Sequence, residues 1–273
     1  MKKLAKLVGC DFATRALIRG SSLMPLTSTL REMLLVEHFK TPFNLTVMDL
    51  ADWAKQFFEF PQVQQLQTAP PIDLSAASPI GVQIVAQAEV PRLMLRSAGG
   101  DRIVQFQADR FAMGWARTRP LGELDEYPGY PTLRGQWIEI LQKFHQWCSV
   151  RFGAVPSVRL VEIAYNNAAL IDLDGKRRRL SDIFRWVQPS RPVNAFQVGW
   201  AEAVRELPDK SRVMANVGLA PDTPGQTVLQ FNFTGFGITD ASGESDQPIQ
   251  ALDVLHTRIL DMYVAAIISE PGS

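Results

Sequence analysis

Apolar residues at Leu30, Met33, Leu34, Val36 and Phe39 recur at a spacing close to 3.6, which predicts a helix over 28–40 with Thr27 or Ser28 as its N-cap. A second stripe, Leu50, Trp53, Ala54 and Phe57, predicts a helix over 47–58 that closes at Phe60-Pro61. Residues 62–78 are rich in Gln, Pro, Ala and Ser and read as an extended connection. From Ile80 the period falls to two. Strands are predicted over 81–88, 92–97, 102–107 and 111–115, with a Gly-Gly turn at 98–101. A polar connector marked by prolines then leads to a long helix over 132–148, with Leu133, Trp137, Leu141, Phe144 and Cys148 on one face. Strands follow at 158–165, 195–205, 211–219, 227–233 and 236–239. A last helix over 248–268 carries Leu252, Leu255, Ile259, Met262 and Ala266 on one face.

The order of the second half repeats that of the first. Gln105, Phe106 and Phe111 fall without gaps on Gln230, Phe231 and Phe236. The expectation is therefore an α+β fold with an internal duplication: two tandem modules, each a small antiparallel sheet covered by a long amphipathic helix. An N-terminal helical segment and linker would occupy 1–78, the first module 79–150 and the second 151–273.

Composition alters this picture little. The chain has 273 residues, 46% of them hydrophobic, so a sizeable core can form. Lys plus Arg number 28 and Asp plus Glu number 28, a balance that argues against whole-molecule attraction to nucleic acid or an anionic membrane. Cys10 and Cys148 are too few for a disulfide framework. Leu7-Val8-Gly9-Cys10 has the form of a lipoprotein cleavage box, but Lys6 interrupts the apolar run such a signal needs. No run reaches the length that spans a bilayer. The expected location is the cytoplasm.

Several segments resemble one family. Trp53 with Phe60-Pro61-Gln62-Val63, the stretch Gln107 to Phe111 with Trp115, and the turn Tyr127-Pro128-Gly129-Tyr130 match its N-terminal and middle parts. Val161-Glu162-Ile163-Ala164-Tyr165-Asn166-Asn167 resembles its Glu-x-x-Tyr-x-Asn strand, and Leu252 to Glu270 its C-terminal helix. The family is a sporadically distributed group of uncharacterised bacterial proteins with no agreed activity, and the resemblance runs from about residue 46 to the C-terminus. Its members open with a Pro-Pro-x-x-Glu strand that residues 1–45 lack, which leaves strand and helix both open there. Such patchy distribution is common among mobile and antiviral defence genes.

Candidate chemistry is sparse. His145-x-x-Cys148 places two metal-ligand types at i, i+3 on a helix, but zinc takes about four ligands and Cys148 sits on the apolar stripe. The remaining histidines are His38 and His256, and no nucleophile motif or phosphate loop accompanies them. Glu162 lies inside an apolar strand close to Tyr165, where it could act as a structural partner or as an acid or base. Lys176, Arg177, Arg178 and Arg179 form the one concentrated charge run, with Trp186 nearby. That combination suits a partner's acidic surface or single-stranded nucleic acid.

These readings lead to one expectation and two alternatives. The expectation is a non-catalytic binding or scaffold component of a bacterial multi-protein system, defence-associated if the family distribution is a guide, with a protein partner. It carries no catalytic residue, cofactor, metal or membrane contact. One alternative is a nucleic-acid-binding module using the 176–179 loop. The other is an enzyme with an unfamiliar site near Glu162, Tyr165 and His256.

Overall fold

A computed structural model describes residues 29–57, 59–70, 72, 91–121, 123, 125–170, 172–173, 176–177, 197–223, 226–239 and 247–266. Nine strands form one sheet in the order β2-β3-β4-β5-β1-β6-β11-β10-β9. They are β1 (Leu30–Phe39), β2 (Gln62–Leu66), β3 (Arg92–Arg96), β4 (Arg102–Gln107), β5 (Arg110–Ala116), β6 (Val158–Leu170), β9 (Gln197–Ala203), β10 (Arg212–Thr223) and β11 (Gln226–Ile238). Every neighbouring pair is antiparallel. The short strands β7 (Asp172–Leu173) and β8 (Lys176–Arg177) pair separately. The described helices are α1 (Val47–Gln56), α2 (Tyr130–Phe152) and α3 (Gln247–Ala266).

The α+β class holds, but the two-module architecture does not. The strands of both halves join edge to edge through β1 and β6 into a single sheet. The alignment that suggested a repeat fails locally. Phe106 and Phe111 lie on two strands, β4 and β5, on either side of a turn, whereas Phe231 and Phe236 lie on the one strand β11. The matched residues therefore share spacing without sharing structure.

The expected N-terminal helix over 28–40 is also overturned, because residues 30–39 form the central strand β1. A strand packed on both faces shows a near-continuous apolar run instead of alternation, and that run imitates a helical stripe. Here Met33, Leu35 and Phe39 fill one face and Val36 the other, all buried. Strand β2 was likewise hidden, since its residues are nearly all exposed and carry no apolar face. The strand predicted over 81–88 lies outside the described residues.

All three helices pack on one face. Phe144 of α2 stacks on Phe111 with ring centroids 4.1 Å apart and lies 5.9 Å from Phe39. Trp53 of α1 reaches Phe106 at 5.4 Å. Helix α1 starts in a capping box between Thr46 and Asp49, and Asp49 also binds Arg151 at the end of α2. Over β11, α3 comes so close that a Cβ on Gly235 or Gly237 would stand 3.1–3.2 Å from Leu255, so these glycines set the helix-to-sheet distance. Burial of this aromatic and aliphatic layer is the main source of stability.

Candidate binding face

Several polar side chains inside the molecule are paired with one another, whereas the indole N–H groups of Trp53, Trp115 and Trp137 are buried without a described acceptor. In β1, Glu37 and His38 are adjacent and therefore point to opposite faces of the sheet. Glu37, 1% exposed, meets His145 of α2 at 3.2 Å on the helix side. His38, fully buried, meets Glu162 of β6 at 2.8 Å on the other side. His256 of α3 shares a hydrogen bond of 2.7 Å with the Tyr165 hydroxyl. Its ring also stacks on Tyr130 at 3.8 Å. Tyr130 donates to Asp253, which is held in turn by the Arg134 guanidinium. Burial, then the adjacent Asp253 charge, pushes the Tyr130 hydroxyl far above its ordinary pKa. The Cys148 thiol is pushed up to about 12 by burial and by Glu37, which leaves it un-ionised and unreactive.

The Glu-x-x-Tyr-x-Asn strand thus resolves into three internal contacts. Tyr165 and His256 meet, whereas Glu162 lies on the opposite face of the sheet and turns to His38. Asn167, 1% exposed, donates to the carbonyls of Tyr165 and Phe231 and so ties β6 to β11.

The sheet face opposite the helices differs in its two halves. Toward β4 and β5 it is closed, with Val36, Ala112, Gln105 and Met94 in one transverse row, all buried. The chain leaving β2 crosses this corner. Gln107 both donates to and accepts from the backbone of Ala69, and Arg110 donates to Pro70. Toward β9 the face opens. Glu162, Phe236 and Arg212 form one row on neighbouring strands, each half-buried. Two residues further along stand Thr234 and Met214, and beyond them the row Asn216, Asn232, Asn166 and Glu32. Asn166 donates to Glu32 at 2.9 Å. Burial raises the Glu32 carboxyl, against the pull of Asn166, Arg96 and Arg92. The edge strand β9 is exposed along the same side at Gln197, Gly199, Ala201 and Ala203.

This open half is a polar surface of amides, one aromatic ring and one guanidinium, built on a rigid central sheet. It can recognise hydrogen-bonding groups, and among the described residues its one carboxylate–histidine pair, Glu162 and His38, is closed on itself. Sequence reading missed it because Arg212, Asn216, Asn232 and Phe236 come from separate strands whose register is visible only in the fold. The alternation of polar residues at Gln230, Asn232 and Thr234 was the available signal. Of the residues singled out for partner binding, Lys176 and Arg177 form β8, while Arg178, Arg179 and Trp186 lie outside the described residues. Among the described residues no group of three or more His, Cys, Asp or Glu side chains could hold a metal. No described helix is long and apolar enough to cross a membrane.

No family model matches the chain, and no curated protein matches it in sequence.

Proposed function

We propose that the protein is a non-catalytic binding component of a bacterial multi-protein system, of the patchily distributed kind found among defence genes. The open β6–β11–β10–β9 half of the sheet is the surface that docks its protein partner. The observation that carries this reading is the asymmetry of the sheet. Helices pack on one face, while half of the other presents half-exposed amides, Phe236 and Arg212. The commitment of His38, His145 and His256 to Glu162, Glu37 and Tyr165 also supports binding over catalysis, since a general base must reach a substrate proton.

The test is affinity purification of the full chain from its source, followed by mass spectrometry. Wild type is expected to retain a stoichiometric protein. The variant Val150→Lys, placed at an 83% exposed position of α2, should retain it too. The double variant Asn216→Lys, Thr234→Lys should lose it. Elution of the wild-type chain alone overturns the proposal, as does equal retention by the double variant.

A further inference from the structure

Arg212 stands out on the open face. It is half-buried, its Nε is closed to solvent without a hydrogen-bond acceptor, and its guanidinium has no hydrogen bond or ion pair with any described residue. Its cross-strand neighbours are Ala203 and Phe236, neither of which bears a charge. The nearest carboxylate in its row, Glu162, is two strands away, roughly 10 Å at the usual strand spacing, and is committed to His38. A partly desolvated guanidinium without a partner is costly to hold, and its planar fork matches a carboxylate.

Four residues along the same strand, roughly 13 Å away, stands Asn216. Its side chain is exposed and hydrogen-bonds to no described residue. Space beside it is kept by Gly199 on the edge strand, where a Cβ would come within 2.7 Å of the Asn216 Oδ1. Next in the row, the Asn232 side-chain oxygen accepts from the Asn167 backbone N–H, and its NH₂ has no described partner. A side-chain amide carries the same donor and acceptor as a peptide bond, so these two residues suit a peptide backbone.

We infer that this quadrant recognises an extended acidic peptide segment running along β10, with a carboxylate on Arg212 and backbone amides on Asn216 and Asn232, about four residues apart. The inference rests on the binding-face reading and names the chemistry of its partner. A nucleic acid fits worse, because it brings one phosphate per nucleotide to strand rows that, among the described residues, carry the carboxylates Glu162 and Glu32 as well as Arg212.

The experiment pans a random peptide display library on the intact chain at low salt and measures affinities of the selected peptides. Selection on wild type should enrich Asp or Glu at one position, and selection on Arg212→Gln should not. A wild-type-selected peptide should bind Arg212→Gln at least about tenfold more weakly. Arg212→Lys, which keeps the charge but not the fork, should fall between. The double variant Asn216→Ala, Asn232→Ala should bind severalfold more weakly while still preferring the acidic peptide. The melting temperature of Arg212→Gln should equal or exceed that of wild type, because the native guanidinium has no described partner to lose. Absence of acidic enrichment overturns the inference, as does equal binding by Arg212→Gln. So does salt-sensitive binding of a fluorescent oligothymidine that depends on Arg212 in place of the peptide. If Arg212→Gln retains a purified partner that the Asn216→Lys, Thr234→Lys variant loses, this inference fails and the docking face stands. Peptide binding that depends on Arg212, without any captured partner, gives the reverse result.

Discussion

The two faces of the nine-stranded sheet solve different problems with the same strands. On the helix side, residues pointing up from β4, β5, β1, β6 and β11 meet three helices in a layer of Phe, Trp, Tyr and Leu, where Glu37 pairs with His145 and Tyr165 with His256. On the opposite side the row through Val36 is closed toward β4 and open toward β10. Strand β1 shows the contrast within two residues, since Glu37 and His38 each hold a partner on a different face. Stability therefore concentrates on one side, and tolerance to change on the open half of the other, which is where a binding surface can evolve without unfolding the chain.

The sharpest way to break this contrast is Phe144→Ala, which removes a fully buried ring stacked against Phe39 and Phe111. It should cost about 4 kcal/mol by denaturant titration. Next comes His145→Ala. It leaves Glu37 buried without its partner and should cost about 2–3 kcal/mol, with His145→Gln recovering part of the loss by supplying a donor.

Asp49 gives a smaller, pH-dependent effect. Burial tends to raise its carboxyl, but hydrogen bonds from Thr46 and Arg151 outweigh that and hold it below the usual range. Its folded value is lower than its unfolded one. Its contribution is thus complete above the ordinary carboxylate pKa of about 3.9 and disappears as pH falls through the folded value. Asp49→Asn should cost about 1–2 kcal/mol at neutral pH, and the gap from wild type should close progressively below about pH 4 in urea melts. Smallest of all, Asn216→Ala on the open face should shift stability by less than about 0.5 kcal/mol. A loss above about 2 kcal/mol there would place Asn216 in the folding core and end the contrast.

How much of this was legible depends on how many sides of an element are buried. Helices α1, α2 and α3 each bury one stripe, so Trp53, Trp137 and Leu255 announced them. The hairpin of β3 and β4 showed itself through Gly99-Gly100, with Gly100 at φ 77°. Strand β1 is covered on both sides and read as a helix, and β2 is covered on neither and read as a linker. Union into one sheet was invisible, because β1 joins strands that lie far from it in sequence and no local pattern records that pairing. Glu162 and Tyr165 were noticed as unusual, but strand alternation already sends residues three apart to opposite faces, and the shared site they suggested could not form.

Strand β1 also has a consequence for how the chain acquires its shape. β5 and β6 do not pair with each other, and β1 alone lies between them. It precedes both in the chain, so during synthesis it emerges with neither neighbour made, gains β5 first and is paired on both edges only when β6 has appeared. Pairings this distant are slow to form, and an apolar strand left unpaired meanwhile is open to aggregation or chaperone capture. The strand that joins the two halves of the sheet is thus the first of the described strands to be made, and its pairing is complete only once β6 has appeared.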